Sequence, residues 1–91
     1  MTRNKPDANQ PEIVQALRDI GAVVFLIGRP LDLLVCFRGK LTLMEVKNPD
    51  GENKVSKSQA VTIELLKAVG VHVPVVRSAE EAIEAITEVV R

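Results

Sequence analysis

Apolar positions along the chain change their period several times, and each change marks an element. From Asn9 to Ile20, the residues Ile13, Ala16, Leu17 and Ile20 recur at helical spacing, Pro11 tolerates a first-turn position and Gly21 suits the stop. This predicts a helix. Val23 to Ile27 is a short continuous apolar run closed by Gly28, Arg29 and Pro30, the pattern of a strand buried on both faces. Leu31 to Phe37 and Lys40 to Lys47 are two more β-rich runs separated only by Arg38 and Gly39, which predicts an antiparallel hairpin with a two-residue turn.

The pattern then breaks. Residues 48–55 form a polar stretch containing Pro49, Asp50, Gly51 and Asn53, expected to be a mobile loop. Ser56 to Val69 reads as a second helix, opened by a Ser56/Gln59 capping box and closed by Gly70. Val71 to Val76 is a short strand in which Pro74 favours an edge position. Ser78 with Glu81 opens a last helix towards the C-terminus, with Ala79, Ala82, Ile83 and Ile86 on its apolar side. The order α-β-β-β-α-β-α, without repeat or long linker, predicts one α/β domain over residues 9–91 behind a flexible N-terminus of residues 1–8. Its sheet is expected to be mixed and four-stranded, flanked by helices, with the last two strands parallel through a right-handed crossover.

Composition narrows the class. The chain has 91 residues, one cysteine, no Trp or Tyr, and twelve Lys+Arg against twelve Asp+Glu. A domain this short buries roughly 60–65% of its unfolded surface, so self-association would add to a thin core. Cys36 has no partner for a disulfide or a thiolate metal site, and the polar N-terminus MTRNKPDANQ lacks the apolar centre of a signal peptide. Both predict a cytoplasmic protein in a reducing compartment. Zero net charge and few aromatics argue against a general nucleic-acid coat.

The third strand carries the chemical anomaly. Alternation puts Leu41, Leu43, Glu45 and Lys47 on one face, so an apolar face ends in two opposite charges. A two-residue turn at Arg38 and Gly39 sets a register in which Asp32 lies opposite Glu45. Facing like charges destabilise a ladder by about 0.2–1 kcal/mol, which invites a cation between them. Two carboxylates without His or Cys suit Mg²⁺ or Mn²⁺ rather than zinc. Lys47 stands on the same face, placed to stabilise developing phosphorane charge or to orient or deprotonate water in phosphodiester hydrolysis. The plain alternative is a solvated Asp32 at a strand start and an exposed Glu45/Lys47 pair at a strand end.

These residues resemble a known family. The run DLLVCFRGKLTLMEVKNP is similar to the core of the PD-(D/E)xK nuclease superfamily, with Asp32 as the acid and Glu45, Val46 and Lys47 as ExK. More narrowly, DANQPEIVQALRDIGA, the DLLV…RGK…MEVK hairpin, SKSQ and VPVVRSAEEAIEAI together resemble small VRR-Nuc-type proteins of phages and bacteria. The resemblance implies a restriction-endonuclease-like fold and an Mg²⁺- or Mn²⁺-dependent endonuclease. In it Asp32, Glu45 and the Val46 carbonyl bind the metal, Lys47 is the catalytic lysine, and Glu12 matches a first-helix acid that reaches the metal directly or through water. Glu12 also reads as the third helical residue of a cap begun by Asn9. Gln59 matches a helix glutamine near the site, and it also completes the Ser56 box. The sequence departs from the family in placing Leu31 between Pro30 and Asp32, and its connection from Gly21 to Asp32 is short.

Standalone members resemble structure-specific nucleases, so the resemblance implies branched DNA such as four-way junctions or flaps as the substrate, and a homodimer would suit both that substrate and the thin core. Arg29, Lys54 and Lys57, with Gln59, are the candidate DNA contacts. Between Arg29 and Lys57 six basic residues stand against four acidic ones, Asp32 and Glu45 among them, so zero net charge conceals a locally basic region. The alternatives are a catalytically inactive DNA-binding or protein-interaction module on the same fold and a regulatory α/β domain without a nucleic-acid role. His72, Cys36 and the acids of the last helix read as a solvated histidine, a small buried hydrophobe and a solvated face.

Overall fold

The structure is a computed structural model that describes residues 8–49 and 55–87. Its elements run α1 (Gln10–Asp19), β1 (Val23–Leu26), β2 (Leu33–Phe37), β3 (Lys40–Val46), α2 (Lys57–Ala68), β4 (Val75–Val76) and α3 (Ala79–Thr87), the order the apolar periods predict. The strands form one mixed sheet, β1-β2-β3-β4, with the first two pairings antiparallel and β3-β4 parallel. Residues 1–8 and the loop of 48–55 fall largely outside the described residues.

Local chemistry explains most boundaries. Arg38 and Gly39 both take positive φ, 51° and 79°, as a two-residue turn matched to the twist of its strands requires. Arg38 occupies this unfavourable region with its guanidinium 4.9 Å from the Phe37 ring centre. The turn fixes the ladder, in which Phe37 faces Lys40 and Leu33 faces Met44. Helix α2 begins with the complete Ser56/Gln59 capping box and ends with Gly70 at φ 91°, where Gly70 N–H donates to the Lys67 carbonyl and Val71 N–H to that of Leu66. Gly21 closes α1 in the same way. Glu81 N–H donates to Ser78 Oγ at the start of α3.

The two faces of the sheet differ. Val24, Leu33, Val35, Met44 and Val46 join Ile13, Val14 and Leu17 of α1 and Ala82 and Ile86 of α3 in one buried core. On the opposite face Val23, Phe25 and Leu41 are exposed. The expectation that the first strand is buried on both faces is therefore corrected: in β1 only Val24 is buried, because it is an edge strand and α1 packs on one side of it. The strand expected over Val71 to Val76 shrinks to Val75–Val76, since Val71 completes the α2 terminus and Pro74 contributes only its carbonyl, which accepts from Glu45 N–H. Helix α2 buries no residue. Its inner side, Gln59, Thr62, Ile63 and Leu66, is half-buried, while Val61, Leu65 and Val69 are exposed.

Candidate functional site

The site forms where β3 leaves the ladder. Asp32 lies one residue before β2, just beyond the last facing pair, Leu33 and Met44. Its carbonyl accepts from Ile27 and Gly28 N–H at 3.0 and 3.2 Å, which fixes the backbone against the end of β1. Its carboxylate Oδ2 accepts from Val46 N–H at 2.9 Å. Asp32 thus bridges to β3 through its side chain and continues the register past the end of the regular ladder. Leu31, the residue that separates Pro30 from Asp32, is fully buried. The extra position is taken up by the core and leaves the acid at the site.

Glu45 is 0% exposed, held by its N–H to the Pro74 carbonyl and by its place beside Val75 of β4. Neither of its side-chain oxygens accepts a hydrogen bond of good geometry among the described residues. Lys47 Nζ lies 3.4 Å from Glu45 Oε2, an ion pair rather than a close hydrogen bond, and Lys47 is itself 9% exposed. Burial, and after it the Asp32 charge, push the Glu45 carboxyl up from 4.5 to about 7, against the opposing pull of Lys47. A buried carboxylate with a second acid beside it and one lysine is under-compensated, and either a proton or further positive charge relieves it.

Asp32, Glu45 and Lys47 are therefore brought together as the sequence predicts, with the backbone of Val46 between the last two. Glu12 is exposed on the first turn of α1, and no cluster of three acidic, His or Cys residues with metal-binding placement occurs among the described residues. The cap expected from Asn9 to Glu12 does not form through the Asn9 side chain. Asn9 instead donates from Nδ2 to the carbonyls of Lys47 and Arg77, at 3.0 and 2.9 Å. Sequence reasoning gave Asn9 only a capping role, because its two partners lie 38 and 68 residues away.

The candidate DNA contacts divide. Arg29 and Gln59 line one open cleft of about 490 Å³ with Gly28, Pro30, Ser56, Ser58 and Thr62. Gln59 Oε1 also accepts from Ser56 N–H, so its capping role is real. Lys57 is exposed at the first residue of α2, whose first turn holds no acid. Lys54 lies outside the described residues. His72 is exposed, and Cys36 is half-buried rather than a core residue. Among the described residues no helix is long and apolar enough to cross a membrane.

The chemistry of the donor set fits a hard divalent cation: two adjacent carboxylates, one with buried oxygens that accept no hydrogen bond, and no soft ligand beside them among the described residues. No protein-family model matches the chain, and no curated protein matches its sequence significantly.

Proposed function

We propose that this protein is a metal-dependent DNA endonuclease of VRR-Nuc type, on a restriction-endonuclease-like α/β scaffold, that hydrolyses phosphodiester bonds in branched DNA such as four-way junctions or flaps. The observation that carries the reading is the buried Glu45 carboxyl, ion-paired with Lys47, beside Asp32 and without a hydrogen-bond partner among the described residues. Asp32, Glu45 and the Val46 carbonyl would hold Mg²⁺ or Mn²⁺, with Glu12 contributing through water. The ion supplies Lewis-acid charge at the scissile phosphate and lowers the pKa of bound water.

The chain's own residues do the rest. Val46 N–H holds one Asp32 oxygen and so orients the carboxylate. The Lys47 ammonium, aimed along the same face as Glu45, offsets negative charge as it grows on the phosphoryl oxygens and orients the attacking water. Arg29 and Gln59 line the cleft at the start of α2, whose first residue is the exposed Lys57, so a DNA backbone there would find positive charge and polar side chains. A homodimer accords with the apolar residues left exposed on β1, β3 and α2.

Incubation with flap, junction and plain duplex DNA in the presence of Mn²⁺ tests the reading. Cleavage of a branched substrate is expected, with Lys47→Ala lowering the rate by about 10²–10³-fold. No cleavage of any substrate, or undiminished cleavage by Lys47→Ala, overturns it. The second reading, a DNA-binding or protein-interaction module without catalysis, is favoured by the exposed Glu12, which leaves two acids without a third ligand beside them among the described residues. It predicts no Mn²⁺ uptake that Asp32→Ala or Glu45→Ala removes.

A further inference from the structure

Helix α1 starts in an unusual way. Asn is among the best N-cap residues because its side-chain oxygen accepts a free N–H of the first turn. Asn9 occupies that position, yet its side chain makes no capping bond. The amide nitrogen points away from the helix and gives one N–H to the Lys47 carbonyl and the other to the Arg77 carbonyl. Both donors are used, and both acceptors are carbonyls. Turning the amide over would set its oxygen against two other oxygens, so the arrangement has only one sense.

The place of the clamp matters. The last ladder bond at this end of the sheet runs from Lys47 N–H to the Val76 carbonyl at 2.9 Å. Regular β4 ends at Val76, so the next carbonyls of the two parallel strands, those of Lys47 and Arg77, lie just beyond it. Asn9 ties these two carbonyls together and to α1. One side chain therefore fixes the peptide that leaves Lys47, in a residue whose ammonium must stay 3.4 Å from Glu45 in a nearly buried setting. A fourth-strand staple alone would hold β4 equally well from Arg77. Only the second bond reaches the lysine.

We infer that Asn9 is a positioning residue for Lys47: its amide fixes the main chain where β3 ends and thereby aims the Lys47 ammonium at the Glu45 carboxylate. The consequence for catalysis rests on the nuclease reading, whereas the consequence for Lys47 placement does not. Misplacing a reacting group by about 1 Å can lower a rate by about 10²-fold.

Asn9→Ser and Asn9→Asp test the inference in the full chain. Both residues are preferred N-caps, so α1 can gain the side-chain cap that it lacks, and neither can donate two N–H bonds. The expected result is a fall in kcat of about 10–100-fold with KM for junction DNA nearly unchanged. Alongside it, acetylation of Lys47 by acetic anhydride, read by mass spectrometry, rises towards the rate of exposed Lys57, while in Asn9→Ser, which sets no anionic oxygen against the two carbonyls, Tm stays near that of the wild type. Unchanged kcat and unchanged Lys47 protection in both variants overturn the inference. So does a loss of activity that only parallels a fall in Tm, with hydrogen-exchange protection lost throughout α1, because that is the signature of a structural staple. If the wild type cuts no DNA, the nuclease reading fails, and Lys47 protection alone decides whether Asn9 aims the lysine.

Discussion

Helices α1 and α2 begin with residues of the same chemical kind and meet the rest of the molecule in opposite ways. Ser56 and Gln59 spend their hydrogen bonds on their own helix: Gln59 N–H donates to Ser56 Oγ, and Ser56 N–H to Gln59 Oε1. Helix α2 is complete at its N-terminus and buries nothing. Asn9 gives its amide to two distant strand ends, and α1 buries Ile13, Val14 and Leu17 against the sheet and α3. A helix that packs through an apolar face can dispense with a side-chain cap, because tertiary burial supplies most of its stability. A helix that packs poorly depends on local hydrogen bonds. The freed capping residue on α1 is then available to hold the site.

The contrast can be tested by size of effect. The largest should come from Leu17→Ala, which removes a fully buried α1 side chain and should destabilise the fold by about 2–5 kcal/mol in urea unfolding. In Leu65→Ala the same truncation, at a position 66% exposed on α2, should change stability by less than about 0.5 kcal/mol. Comparable effects from the two would mean that α2 is packed as firmly as α1.

Next is the pH dependence of the metal-free protein. Folding raises the Glu45 pKa from 4.5 to about 7, so between these values the folded state binds more protons than the unfolded chain. Stability from this group is therefore fully present below pH 4.5, falls as pH rises through about 7 and levels off above it, by up to about 3 kcal/mol. Burial is the largest cause of the rise, Asp32 adds to it and Lys47 opposes it. Glu45→Gln should flatten this part of the profile in chemical denaturation. An unchanged profile would show that Glu45 is not the group responsible.

Loss of the α2 cap should act on the helix alone and barely move global unfolding. Ser56→Ala removes about 1 kcal/mol of helix stability. Because α2 contacts the core weakly, the loss should appear as faster hydrogen exchange across 57–68 and leave the global transition almost in place. A full 1 kcal/mol shift of global unfolding would contradict the loose attachment of α2.

Legibility in the sequence followed the range of the interactions. The hairpin was readable because a two-residue Arg38/Gly39 turn sets its own register, and that register carried Asp32 to the edge of Glu45. The α2 box and the glycine stops at Gly21 and Gly70 were readable because their partners lie within six residues. Burial of β1 was not. Its apolar run is the same whether a helix covers one face or two, and the placement of neighbouring elements leaves Phe25 exposed. The fourth strand was overestimated because Val71 obeys the C-terminus of α2 rather than the alternation of its own segment.

The amino-acid sequence by itself determined the order of elements, the turn that sets the β2-β3 ladder and the residues able to carry acid and cation chemistry. These follow from periods, propensities and hydrogen bonds between near neighbours in the chain. Only the tertiary structure decided that Glu45 is buried without a close partner, that Asp32 is held by Val46 N–H, and that Asn9 serves Lys47 instead of its own helix. Each of these depends on desolvation or on a hydrogen bond across 14 or more residues, and such contacts exist only once the sheet and α1 have packed.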